Sequence, residues 1–168
     1  MKRINIILII ILAFLALGLA YWGKDEAIAP GPEPVEDKTA VKLYYYNPAL
    51  DQGPGGAECS EKGLVAVERE IPRTPTPIQD TIKLLLRGEL TSEERASGII
   101  TEFPLEGFSL MGASLKDGAL VLEFSDPENK TSGGACRVGI LWKQIEATAK
   151  QFPEASEIRF LPEELFQP

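Results

Sequence analysis

The chain has 168 residues and a formal net charge of −8, with 25 acidic against 17 basic side chains and no histidine. Binding a polyanion requires a basic face that releases counterions, and this sequence has no basic stripe with interleaved aromatics, so nucleic acid is excluded as an expected partner and anionic lipid surfaces are disfavoured. The lack of histidine also removes the most frequent general base and a frequent metal ligand.

Ile4–Trp22 (INIILIIILAFLALGLAYW) is apolar apart from Asn5 in its first turn. At about 1.5 Å per residue it covers about 28 Å, the thickness of a bilayer core, so residues 1–22 are expected to form a cytoplasmic tip and a transmembrane signal anchor. Lys2 and Arg3 precede the span, which predicts a single pass with the rest of the chain extracytoplasmic and with Tyr21 and Trp22 at the outer interface. A cleaved secretory signal is the alternative, with Gly18-Leu19-Ala20 as a small-x-small site. A lipid anchor would need a cysteine directly after the apolar run, and the first one is Cys59.

Residues 23–40 (GKDEAIAPGPEPVEDKTA) are rich in Pro, Gly and acid and carry no apolar periodicity, which predicts a disordered, extended linker. Residues 41–168 then form one domain, long enough to close its own core. In Val41–Tyr46, Val41, Leu43 and Tyr45 alternate with Lys42, Tyr44 and Tyr46, the period of a half-buried strand. Leu64–Ile71 resumes the alternation with Val65, Val67 and Ile71 against Glu68 and Glu70, so the two strands are expected to pair around residues 47–63.

Thr76 and Pro77 open a helix, with Gln79 reaching back as in a capping box, an apolar stripe of Ile78, Ile82, Leu85 and Leu86, and Gly88 as its left-handed stop. Thr91 and Glu94 cap a second, shorter helix. Phe108–Ala113 and Ala119–Phe124 read as a hairpin about Lys116-Asp117-Gly118. A helix over 137–151 places Val138, Leu141, Ile145 and Ala149 on one side, and Glu157–Leu161 is a last strand. The order β-β-α-β-β-α-β predicts an α+β fold, a mainly antiparallel sheet with two amphipathic helices on one face.

Cys59 and Cys136 both follow glycine-rich approaches in the exported part, where thiols are oxidised, and a disulfide between them is expected. Two unpaired small residues in loops are the alternative. A metal site is poorer, because two thiolates alone do not complete a zinc shell. No Gly-x-Ser-x-Gly and no phosphate-cradling glycine loop occurs. Glu68 and Glu70, about 7 Å apart on one strand face, have the spacing of a glycosidase pair but need no explanation beyond solvation. Glu93-Glu94 and Glu163-Glu164 are equally plain, Ser60 near Lys62 sits in a loop that fixes no geometry, and Trp142 beside the last helix stripe reads as core. No enzyme activity, catalytic residue, cofactor or metal is assigned.

Three segments in order, LVAVEREIPRTPTPIQDTIKLLLRG, FSLMGASLKDGALVLEFS and ILWKQIEATAKQFPEASEIRFLPEE, resemble the GerMN domain family over about Val41 to Glu164. Arg69 after the second strand, Gly88 after the first helix, Asp117-Gly118 in the hairpin and Gln151-Phe152-Pro153 before the last strand carry the resemblance. It implies a non-enzymatic domain outside the cytoplasmic membrane, similar in fold to ring-building motifs of sporulation channels, that binds or helps assemble envelope protein complexes. Two features depart from the pattern: one copy behind an apolar span where the family's sporulation protein has a tandem pair behind a lipid, and Cys136 where serine or glycine is expected. The partner is expected to be an envelope protein or further copies of the chain. Candidate partner residues are Tyr44, Tyr46, Glu68 and Glu70 on the exposed sheet face, with Arg69 offering either a partner contact or a structural ion pair. A small-ligand or cell-wall glycan-binding domain is the alternative, with the loops Gly53–Glu58 and Ser132–Cys136 as a shared mouth.

Overall fold

The computed structural model describes residues 37–168; the predicted span Ile4–Trp22 and most of the linker lie outside this range. Among the described residues no helix is long and apolar enough to cross a membrane.

Strand β1 (Lys38–Tyr46) begins three residues before the predicted Val41. After a 3-10 turn at Pro48–Leu50 come two short strands, β2 (Gln52–Gly53) and β3 (Gly56–Ala57), which pair with each other, and a second turn at Glu61–Gly63. Strand β4 (Leu64–Pro72) returns antiparallel to β1 in an unbroken register from Lys38↔Pro72 to Tyr46↔Leu64. Val41, Leu43 and Tyr45 are buried and Lys42 is exposed, as the alternation requires.

Helix α1 (Pro77–Leu86) buries Ile78, Ile82, Leu85 and Leu86 together with Thr81, whose hydroxyl donates to Pro77 O at 2.7 Å. Its N-cap position is Thr76 as expected, but the capping box is not formed: no side-chain cap bond is made, and the Thr74 and Thr76 hydroxyls both turn to Asp80 Oδ2 instead. The carboxylate in the first turn accepts from both hydroxyls and orients them towards itself, so the Thr76 oxygen does not accept from the helix amides as an N-cap would. Gly88 ends the helix with φ +64°, and a Cβ there would lie 1.8 Å from Phe103 O. Helix α2 (Ser92–Ala96) starts on a complete capping box between Thr91 and Glu94.

Strands β5 (Ser109–Lys116) and β6 (Ala119–Ser125) form the expected hairpin, with Asp117 at φ +52° and Gly118 at φ +84° supplying the two left-handed residues of a tight turn. Helix α3 (Ala135–Lys150) buries Val138, Leu141, Ile145 and Ala149, and β7 (Glu157–Leu161) completes the chain's strands.

The single, mainly antiparallel sheet expected from the sequence is corrected in two respects. The longer strands form two separate sheets, β1-β4 and β5-β6-β7, and β7 runs parallel to β6. The second point follows from α3, since a helical crossover between neighbouring strands returns the chain to the end where it started. The first follows from β1, whose outward edge is already occupied. Gln151 brackets Lys42, accepting from its N–H at 2.8 Å and donating to its C=O at 2.7 Å. Thr148 Oγ1 accepts from Tyr44 N–H at 3.0 Å, and Ile100 exchanges two bonds with Tyr46. No strand of the second sheet can add there.

Helix α1 touches β1, β4, β5 and α3, while α3 touches β1 and β7, so the helices bridge both sheets. Leu43, Tyr45, Ile82, Leu85, Leu120, Leu122, Leu141 and Ile145 are almost fully buried at the centre. Each such aliphatic side chain contributes about 2 kcal/mol of burial free energy before its entropy cost. Towards the C-terminus the core becomes aromatic: Phe124 stacks on Phe108 at 5.0 Å, and Trp142 meets Phe160 edge-on at 4.3 Å with its Nε1 donating to Glu146 at 3.0 Å. Trp142 is thus a packing residue with a satisfied polar edge.

Candidate functional site

The face of the β1-β4 ribbon turned away from the helices carries Lys38, Ala40, Lys42 and Tyr44 on one strand and Leu64, Ala66, Glu68 and Glu70 on the other. Glu68 and Glu70 are exposed, and Tyr44 is half-buried. Glu68 lies directly opposite Lys42, and Glu70 pairs with Lys38 at 3.5 Å. Both carboxylates are solvated and each has a cation across the strand, an arrangement of a balanced ionic surface rather than of an acid and base pair.

Tyr46 does not belong to this face. It is buried, and its hydroxyl donates to Asp51 Oδ2 at 2.7 Å. The reason is the loop after β1, which folds back over the end of the strand. Gly63 packs against the Tyr46 ring so closely that a Cβ would lie 2.2 Å from its Cε2. Asp51, only 1% exposed, organises the loop: its carboxylate accepts from Tyr46, from Ser60 N–H at 2.6 Å and from Ser60 Oγ at 2.5 Å. These bonds, the Ser60 hydroxyl first and Tyr46 next, hold the Asp51 carboxyl below its ordinary range. Burial, reinforced by Asp51, pushes the Tyr46 phenol up to about 12.

Ser60 is therefore committed to Asp51, and Lys62 pairs with Glu58 at 3.1 Å, so no serine and lysine couple assembles. Cys59, held at φ +56° beside this cluster, is joined by a disulfide to Cys136 in the first turn of α3, with Cα atoms 5.3 Å apart. The bond ties the residue that follows Gly53–Glu58 to the last residue of Ser132–Cys136. Clefts of about 390 and 220 Å³ lie elsewhere, the larger against Trp142, Ile158 and Arg159 and the smaller against Pro77, Leu115 and Leu120.

Arg69, from the core face of β4, makes a two-pronged pair with Glu94, Nη1 to Oε1 at 2.8 Å and Nη2 to Oε2 at 2.7 Å, and donates also to Glu89 O and Glu68 O. Both side chains are largely shielded, at 22% and 16% exposure. The Arg69 hydrogen bonds hold the Glu94 carboxyl below its usual value, and Glu94 raises the Arg69 guanidinium in return. Glu94 Oε2 accepts in addition from Thr91 N–H, so one carboxylate closes the α2 capping box and ties α2 to β4. Arg69 is a structural ion pair, and its planar fork is spent inside the domain.

Of the five residues expected to face a partner, the structure thus leaves Tyr44, Glu68 and Glu70 on one surface and withdraws Tyr46 and Arg69 into the fold. Asp51 and Thr148 were not singled out by the sequence, and Gln151 stood out only as part of the family resemblance, not for its bonds to Lys42. Nothing in the pattern distinguishes Thr148 from other polar helix residues, and Asp51 meets its partners only because a long loop doubles back. Among the described residues no group of three or more Cys, Asp and Glu is placed to hold a metal ion.

The geometry defines a class: a small α+β domain with a disulfide-tied loop and a two-stranded ribbon whose outer face is solvent-exposed. The sequence model for the Germane family, described as sporulation and spore germination, matches residues 42–164, and the chain belongs to that family. Among solved structures, the chain is similar to the first GerMN domain of the sporulation protein GerM from Bacillus subtilis, with 18% identity and a TM-score of 0.50 over 76% of this chain and 86% of that one. It also matches the tandem GerMN domains of the same protein at 18% identity and a TM-score of 0.49, covering 81% of this chain but only 43% of that one. Comparison with curated proteins gives no match. The domain is GerMN-like in fold, and neither the family description nor the matched structures name an enzyme.

Proposed function

We propose that this chain is a non-enzymatic, single-pass membrane protein whose extracytoplasmic GerMN-like domain binds or helps to assemble envelope protein complexes. Family membership over residues 42–164 is the observation that carries this reading. Two features support it. The apolar stretch Ile4–Trp22 preceded by Lys2 and Arg3 has the length and charge bias of a signal anchor with its C-terminal side exported. The shielded ionisable groups Asp51, Glu94 and Arg69 are spent on internal work: Asp51 on a loop, Glu94 on a helix cap and Arg69 on Glu94.

A photo-crosslinking residue placed at Tyr44 in the full chain, in living cells, tests the proposal. The expected product is a reproducible adduct with an envelope protein or with a second copy, recovered in the membrane fraction. No adduct from this or any other exposed position of a folded, membrane-located protein would refute it.

A further inference from the structure

The sheet edges of this domain are treated unequally. The outward groups of β1 are closed by Gln151, Thr148 and Ile100. Strand β5 is interrupted by a register shift between Leu110 and Gly112, and β7 has five residues and runs into Pro162. Covering, bulging and shortening are the usual protections against unwanted strand pairing. Strand β4 has none of them: it is nine residues long, its register is unbroken and its proline, Pro72, is the last residue.

The outward groups of β4 follow from β1. Because Lys42, Tyr44 and Tyr46 direct their N–H groups away from β4, their partners Glu68, Ala66 and Leu64 direct theirs away from β1. Among the described residues the Leu64 N–H is taken by the Glu61 carbonyl and the Glu68 carbonyl by Arg69, which leaves the outward amides of Ala66, Glu68 and Glu70 open. Ala66 is exposed and its small side chain leaves room for a neighbouring backbone.

We propose, building on the assembly reading above, that β4 accepts an extended segment of a partner protein as an added strand, and that the segment carries Lys or Arg at alternate positions. Charge selects this occupant. The side chains bordering the open edge are Glu68 and Glu70, with the ribbon's lysines, Lys38 and Lys42, on the far strand. A cationic strand would complete alternating columns of charge, whereas centred antiparallel pairing of two copies would set Glu68 against Glu68. The chain's own residues 23–36 are acidic and interrupted by Pro30, Pro32 and Pro34, which cannot donate to a ladder. Main-chain bonds would give such a complex its affinity and the two glutamates its selectivity.

The test uses the full chain in nanodiscs and three acetylated, amidated heptapeptides: threonine alternating with lysine, proline alternating with lysine, and threonine alternating with glutamate. The threonine-lysine peptide is expected to bind and to slow hydrogen exchange at the amides of Ala66, Glu68 and Glu70, with the proline-lysine peptide at least about tenfold weaker. The double variant E68K/E70K, altered only at exposed positions, is expected to reverse the preference towards the glutamate peptide by about tenfold or more. Equal binding of the two lysine peptides, protection at another strand, no binding, or self-association through β4 would each overturn the proposal. Crosslinkers at Ala66 and Leu161 in cells separate it from the broader reading. Adducts from Leu161 alone leave an assembly module without a β4 edge site, and none from either position counts against both.

Discussion

Removal of the Cys59–Cys136 bond tests the physical account of the domain most directly. The bond spans 77 residues of sequence. In the chain-entropy model, closing a loop of that size lowers the entropy of the unfolded chain enough to stabilise the fold by about 4.5 kcal/mol at room temperature. The folded state should change little on its loss. Ser60 and Asp51 remain bonded next to Cys59, and α3 is held by Val138, Leu141 and Ile145 in the core. The double variant C59S/C136S is therefore expected to keep its fold at neutral pH, to lose about 4 kcal/mol in urea unfolding and to melt on the order of 10–20 °C lower. The oxidised wild type treated with reductant under native conditions should reproduce the variant. A loss below about 1 kcal/mol would mean that the unfolded chain is already compact, or that the bond strains the native loop, and would refute the entropic account.

Four other outcomes follow from particular contacts. Gly88→Ala forces a Cβ onto the Phe103 carbonyl at a left-handed φ, and should cost at least about 3 kcal/mol in chemical denaturation, well beyond ordinary loss of a helix-stop glycine. Arg69→Met should destabilise by about 2 kcal/mol, and a double-mutant cycle with Glu94→Gln should show coupling of about 1–2 kcal/mol, because the shielded pair is intermediate between exposed and fully buried ones. Tyr46→Phe should cost about 1 kcal/mol by removing a donor from Asp51, while Tyr45→Phe should be neutral or slightly stabilising, since the Tyr45 hydroxyl is buried without a partner among the described residues. Asp51→Asn should make stability less dependent on acid. The depressed Asp51 value in the fold means that its contribution is present above the ordinary carboxylate range and lost as pH falls through the folded value, so wild type and variant should converge in acid. Parallel denaturation curves from pH 7 down to about 3 measure this, and a constant difference would count against it.

Much of this fold was legible in the sequence because local rules and tertiary demands agree. The alternation of Val41, Leu43 and Tyr45, the helical stripe of Ile78, Ile82, Leu85 and Leu86, the Asp117-Gly118 turn and the Thr91–Glu94 box each carry their own physical reason, and each lies where that reason puts it. These are short-range features, decided by a side-chain period, a backbone angle or a bond between residues three apart. The family signature is the same kind of information, an ordered series of such features.

What the tertiary structure alone decided involves residues far apart in sequence. Tyr46 alternates correctly for an exposed position, yet the loop doubling back through Asp51 and Gly63 buries it. Arg69 becomes structural only when Glu94, 25 residues on, arrives with both oxygens. The separation into two sheets is decided by Thr148 and Gln151, more than 100 residues from the strand edge they close, because a backbone group satisfied by a side chain no longer recruits a strand. Sequence period specifies which face of an element is apolar; which edges are closed and which stay open is fixed only when distant polar groups meet, since hydrogen bonds, unlike apolar burial, require one particular partner at one particular distance.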